Sequence, residues 1–204
     1  MPVITSTTTL VPDNPAAAYA AYRQAASAVF LAGTQGLKYK KDHYDLAVDL
    51  SKAGLTYIDE RADEIVIGAM TPLWQIKISQ AIQNFAGGAI SKAISDVADK
   101  NIQRYGTLGG VISSKAPFSV LLPILLSLHV DVQLQDKGCM SLDDYLHCPP
   151  MGELVTGISI AKEAVYTAYK AYRKLPVDEP YLVGAVAMRD DSWRIVVGGR
   201  PGLA

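Results

Sequence analysis

Apolar and polar positions follow two rhythms along this chain, and each change of rhythm marks an element. Residues 1–13 are rich in Thr and Val and read as an extended lead-in. Asn14 before Pro15 places a capping side chain ahead of a proline at the first helical position, predicting a helix through the Ala-rich stretch to about Ser27. The short apolar run 28–32, stopped by Gly33, predicts a buried strand. Leu46, Val48 and Leu50 alternate with Ala47 and Asp49 and predict a second. Residues 55–59 and 64–69 predict paired strands around a polar turn at 60–63.

The cap-then-proline signal recurs at Thr71-Pro72, predicting a helix that carries Leu73, Ile76 and Ala81 inward and stops at Gly87-Gly88. Residues 89–99 are amphipathic at helical spacing, with Ile90, Ile94, Val97 and Ala98 on one side. A glycine-rich turn follows at 106–110, then a buried helix over 120–128 and a strand through Val130, Val132 and Leu134. Ser141 and Asp144 resemble a capping box that opens a short helix. Residues 154–160 predict a strand. Tyr166, Tyr169 and Tyr172 recur every third residue and predict a helix over 162–172. Residues 181–188 and 193–197 predict a terminal hairpin turning at Asp190-Asp191. The fold class is α+β.

Composition narrows the function. At 204 residues the chain has room for one large or two small domains, and 50% hydrophobic with 19% charged residues excludes wholesale disorder. Nineteen Lys and Arg against twenty Asp and Glu give a formal net charge of -1. That balance argues against a general nucleic-acid binder, which carries a basic excess. The longest apolar stretch, 120–130, is interrupted by Pro123, Ser127 and His129 and falls short of the roughly 20 apolar residues a membrane span needs. The first basic residue is Arg23, so no secretory signal pattern opens the chain, and a soluble cytoplasmic protein is expected. Cys139 and Cys148 are too few for a disulfide scaffold, and His43, His129 and His147 lie far apart, so no metal site is expected. No G-x-S-x-G elbow, Walker loop or G-x-G-x-x-G is present.

Two glycine turns remain, residues 31–37 and 105–110. Glycines let backbone approach a ligand closely and let successive N–H groups point into one concavity, which suits a pyrophosphate. Taken singly, either turn reads first as a tight turn.

Taken together and in order, these features resemble the flavin-binding medium subunit of the molybdenum hydroxylases, the family of carbon monoxide, xanthine and nicotinate dehydrogenases. Leu31 to Leu37 is similar to that family's L-A-G-G-T-D-L turn, and Val48-Asp49-Leu50 to the strand end that follows it. Ile67-Gly68-Ala69-Met70-Thr71 matches I-G-A-x-T. Arg104 with Gly106 to Gly110 resembles R-x-x-G-T-I-G-G-N, one residue tighter at the arginine. Ala116-Pro117-Phe118-Ser119-Val120-Leu121-Leu122-Pro123 resembles A-S-P-x-S-D-L-x-P. Glu153-Leu154-Val155 is similar to E-L-L, and Tyr169-Lys170 with Arg173-Lys174 to Y-x-K-x-x-R-R. The resemblance spans essentially the whole chain.

That resemblance implies a two-lobed FAD-binding fold with a C-terminal hairpin: a first lobe over 1–52, a second over 53–175, and 176–204 as the remnant of a further small domain. It implies FAD held by Leu31, Ala32, Gly33, Thr34, Gln35, Gly36 and Leu37 from the first lobe. From the second it implies Val97, Ala98, Thr107, Gly109, Gly110, Ser114, Ser119 and Lys170. The implied role is electron transfer from an iron–sulfur subunit to NAD+ or another acceptor, beside a molybdopterin subunit that oxidises the substrate. Departures stand at Thr34, Val111 and Val120, where the family has glycine, asparagine and aspartate. They leave a flavin-free structural or assembly subunit as the alternative. The hairpin's apolar residues predict an interface and self-association of the isolated chain.

Overall fold

The computed structural model describes residues 4–37, 42–97, 99–116, 118–163, 165–175 and 178–199. It opens with β1 (Thr5–Leu10), α1 (Pro15–Gln24), β2 (Ala28–Leu31) and β3 (His43–Asp49). The Asn14 side chain caps α1 by accepting from the Ala17 N–H at 2.8 Å, as the cap-then-proline pair predicts. The strands form a parallel sheet in the order β1-β3-β2. Helix α1 lies on it through Ala18 and Tyr19, which join Val48, Leu50, Ala53, Leu55 and Leu154 in a small core.

The larger layer begins with β4 (Ile58–Glu60) and β5 (Glu64–Gly68). Six short helices follow: α2 (Leu73–Ile78), α3 (Gln80–Asn84), α4 (Ala89–Ser95), α5 (Lys100–Tyr105), α6 (Leu108–Ser114) and α7 (Leu122–Ser127). Then come β6 (Val130–Leu134), β7 (Gly138–Ser141), α8 (Leu142–His147) and β8 (Val155–Ala161). The strands build an antiparallel sheet ordered β4-β5-β8-β6-β7. Its fully buried Ile65, Ile67, Val132, Ile158 and Ile160 pack with Ile76, Ile90, Ile94, Ile112 and Ile124 of the helices. The Ser141–Asp144 box forms as predicted: Ser141 Oγ accepts from the Asp144 N–H at 3.0 Å.

Three expectations change. The helix predicted from Thr71 to Gly87 is broken in two, with Ser79 extended (φ -62, ψ 127) between α2 and α3. Thr71 is not its cap. It is fully buried, and its Oγ1 donates to the Tyr57 carbonyl at 2.9 Å and accepts the Tyr57 N–H at 3.1 Å. The helix predicted over 162–172 is instead strand β9 (Tyr166–Tyr172), pairing antiparallel with β10 (Leu182–Arg189). Tyr and Thr favour strands, and hydrogen bonds from a neighbouring strand outweigh a three-residue tyrosine spacing. The terminal hairpin forms from β10 and β11 (Ser192–Gly199), turning at Asp190 and Asp191 with φ of 43° and 63°. It is not a lone ribbon, because β9 completes a sheet ordered β11-β10-β9.

The inner face of this sheet buries Tyr169, Val183, Ala185 and Ala187 in the main core. An ion-pair corner ties it down further. Glu163 accepts from Arg189 Nη1 of β10 at 2.9 Å and pairs with His129 Nδ1 at 2.9 Å. The hydrogen bond from His129 is the main cause that holds the Glu163 carboxyl below the ordinary carboxylate range; desolvation opposes it, and the charge of Arg189 adds to the lowering. A carboxylate with a lowered native pKa adds stability above its unfolded pKa and loses it as pH falls through the native one.

Two outcomes follow from this packing. Thr71→Val keeps the shape and orphans the Tyr57 N–H, while the Tyr57 carbonyl keeps the Gly68 N–H at 3.0 Å, so urea unfolding should show a loss of about 1–2 kcal/mol with an unchanged m-value. Glu163→Gln, at a half-exposed pair, should cost under about 1 kcal/mol at neutral pH. It should also flatten the decline of the melting temperature below about pH 4.5, the ordinary Glu value.

Candidate functional site

The two glycine turns meet. Strand β2 ends at Leu31 and the chain turns through Ala32 to Gln35, whose Nε2 donates to the Gly33 carbonyl at 3.2 Å. A Cβ built on Gly33 would lie 2.0 Å from the Tyr105 carbonyl oxygen and 3.0 Å from the Gly106 Cα. Glycine is therefore demanded at position 33 by the second turn itself. Thr34 follows at φ 55°, in the left-handed region, where a β-branched residue is strained.

The second turn is stitched to the end of β5. The Gly106 N–H donates to Ile102 O at 2.8 Å and closes α5. The Leu73 N–H donates to Gly106 O at 3.0 Å, and the Leu108 N–H to Thr71 O at 3.1 Å. Thr107 caps α6, its Oγ1 accepting from the Gly110 N–H at 3.2 Å. A Cβ on Gly109 would lie 2.8 Å from the Ala69 Cβ, and the Gly109 N–H donates to Ala69 O at 2.8 Å. Gly109 and Gly110 thus form the first turn of a helix.

Between the turns lies a cleft of about 370 Å³, lined by Ala32, Gly33, Thr34, Gln35, Met70, Pro72, Arg104, Tyr105 and Thr107. Arg104 is the one charged side chain among these lining residues, exposed at the last turn of α5 with its guanidinium carbon 5.8 Å from the centre of the Tyr105 ring. Its charge suits an anion. A larger cavity of about 590 Å³ lies elsewhere, lined by Asp63, Glu64, Asp131, Asp143 and Asp144. Carboxylates there make it the wrong place for a diphosphate.

Of the residues expected at the site, Ala32, Gly33, Thr34, Gln35 and Thr107 line the cleft. Leu31 is half-buried in β2, and Gly36 and Leu37 continue the first turn beyond the lining. Ser114 Oγ donates to Val111 O at 3.0 Å, and Ser119 Oγ accepts from the N–H groups of Leu121 and Leu122 in the turn that leads into α7. Val97 sits past α4, its carbonyl accepting from Gln103 Nε2 at 2.6 Å. Lys170 is exposed on the outer face of β9. Ala98 lies outside the described residues. Met70, Pro72, Arg104 and Tyr105 line the cleft without having been singled out. Arg104 and Met70 stood inside matched motifs, and that was the available signal.

Residues 5–162 match the family model for the FAD binding domain in molybdopterin dehydrogenase. Over 175 residues the chain is 29% identical to the uncharacterized protein YgfM of Escherichia coli strain K12, which covers 84% of this chain. The chain spans 66% of that curated relative, just under two thirds of its length. Among solved structures, a carbon monoxide dehydrogenase from Hydrogenophaga pseudoflava lacking the Mo-pyranopterin moiety superposes with a TM-score of 0.85 at 21% identity. It covers 97% of this chain, and this chain covers 75% of it. Quinoline 2-oxidoreductase from Pseudomonas putida 86 gives 0.87 at 18% identity, covering 99% of this chain and 76% of its own. At these identities the structures establish the fold.

The strain at Thr34 has a measurable consequence. Thr34→Gly relieves a left-handed β-branched residue and should raise unfolding stability by about 0.5–1 kcal/mol, whereas Thr34→Ala should gain far less. Gly33→Ala should cost about 2 kcal/mol or more, because the turns must part to admit a Cβ. Denaturant midpoints of the three variants check both.

Proposed function

We propose, from the premise that this chain belongs to the family of FAD-binding domains of molybdopterin dehydrogenases, that it carries electrons from an iron–sulfur subunit to NAD+ or another acceptor. Membership makes the chain an FAD-binding, flavoprotein component of an oxidoreductase. The electron route, the iron–sulfur and molybdopterin partner subunits and a cytoplasmic setting are our reading of its role. Among the described residues no helix is long and apolar enough to cross a membrane.

The observation that carries this reading is the cleft where the two glycine turns meet, with Arg104 at its rim. At about 370 Å³ it is at the small end of ligand sites, which run roughly 300–1,000 Å³. That is room for a diphosphate group, which these residues would hold. Arg104 fits the diphosphate as a charge-assisted donor. The hydroxyls of Thr34 and Thr107 and the amide of Gln35 add polar partners, and Tyr105 offers a ring face. Bound FAD supplies the electron-transfer chemistry. The chain's own residues bind and orient it. No His, Asp, Glu or Cys stands among the lining residues, and the polar groups that do stand there suit holding and positioning a ligand. This division suits a subunit whose substrate is oxidised on another chain.

The purified chain should be yellow, and heat denaturation should release FAD, identified by the rise in flavin fluorescence on phosphodiesterase treatment, which FMN does not show. Arg104→Ala should weaken FAD binding about tenfold in fluorescence titration without changing the melting temperature of the apoprotein. A colourless protein that takes up no FAD on reconstitution overturns the reading.

A further inference from the structure

The two walls of the cleft stand on different bodies. Ala32 to Gln35 follow β2, which belongs to the parallel sheet β1-β3-β2. Arg104, Tyr105 and Thr107 stand at the junction of α5 and α6, whose Ile102 and Leu108 pack in the main core. Among the described residues, the backbone hydrogen bonds of 4–53 stay within that stretch. What seats the first body on the second is therefore side-chain packing.

That seam reaches the cleft by two routes. Leu55, Met70 and Leu154 enter the small core beside Ala18, Tyr19 and Tyr22 of α1, and Met70 also lines the cleft. The Tyr22 ring stacks on Phe30 of β2, with centroids 4.2 Å apart and planes at 15°. Phe30 stands two residues before Ala32, so a shift of α1 passes along β2 to the first wall. Tyr19 is three residues from Tyr22, on the same side of the helix.

A polar tie crosses the seam at Tyr19. Its hydroxyl donates to Glu153 Oε2 at 3.3 Å, while Glu153 Oε1 accepts from the Asp136 N–H at 2.9 Å. The Gln135 N–H donates to Leu154 O at 3.0 Å beside it. The carboxylate is thus fixed on the turn between β6 and β7, and its second oxygen reaches α1. Tyr19 is only 6% exposed, and a buried tyrosine hydroxyl needs an acceptor.

We propose that Glu153 is a positioning residue for the cleft: through Tyr19, Tyr22 and Phe30 it holds the first wall, 32–35, at its distance from the second. Its importance for FAD rests on the function proposed above; its hold on the wall does not. Gly33 lets the two turns touch, and the tie keeps them in place while they do. A ligand that bridges both walls binds best where their separation is already set, because a loose wall must be ordered on binding.

FAD titration and hydrogen exchange of the apoprotein, both on the full chain, test this together. Glu153→Ala and Tyr19→Phe should each weaken FAD binding about tenfold, and the double variant should bind no more weakly than the worse single one. Glu153→Gln, whose amide can accept from Asp136 N–H and donate to the Tyr19 oxygen, should stay within about threefold of the wild type. In the apoprotein, Glu153→Ala should speed amide exchange at 28–35 about tenfold and leave 64–68 unchanged. Glu163→Gln, in the ion-pair corner of β10, should move neither readout. If the wild type takes up FAD and the single variants bind it as tightly, or their losses add in the double variant, the positioning role is overturned and the proposed function stands. If the wild type takes up no FAD, the proposed function falls and exchange decides the tie: unchanged rates at 28–35 in Glu153→Ala overturn it, and faster rates confined there uphold it.

Discussion

The close approach of Gly33 to the carbonyl of Tyr105 is the contact from which the rest of the cleft follows. The turn after β2 and the turn after α5 come from distant parts of the chain, and a Cβ at position 33 would lie 2.0 Å from that carbonyl oxygen. Only a residue without a side chain lets the turns touch. Where they touch they enclose a cleft, and Arg104 stands at its edge because it is the residue before the one contacted. The glycine therefore fixes the distance between two walls.

Rigid walls need anchors, and these lie in the backbone. The second turn is held by hydrogen bonds from Leu73 to Gly106, Leu108 to Thr71 and Gly109 to Ala69. Thr71 in turn binds both backbone groups of Tyr57. A run from β4 through β5 and α2 to α6 is thus one connected piece. The first turn carries a different burden, since Thr34 is held with φ at 55°. Strain of this kind costs on the order of 1–3 kcal/mol and persists where its surroundings over-determine it.

The C-terminal sheet shows the same economy in another form. One face supplies Val183, Ala185 and Ala187 to the core, and the Glu163 corner pins β10 to the start of β6. The other face keeps aromatic and branched side chains in water.

Local signals proved sound wherever the deciding interaction is local. Asn14 before Pro15 caps α1, Ser141 with Asp144 opens α8, and Asp190-Asp191 turns the hairpin, because each structure is closed by atoms a few residues apart. The motif order likewise led to the family, since motifs are strings of neighbours. What the sequence could not decide were matters settled across the fold. Tyr166 to Tyr172 became a strand because β10 offers it hydrogen bonds, and no neighbour in sequence announces that. Thr71 looked like a cap and is a brace, because Tyr57 reaches it from fourteen residues away. Arg104 and Tyr105 joined the cleft only when Gly33 was folded against them. The sequence determined which segments could bend, cap and alternate. Tertiary structure decided which turns face each other, because that depends on distances between residues far apart in the chain.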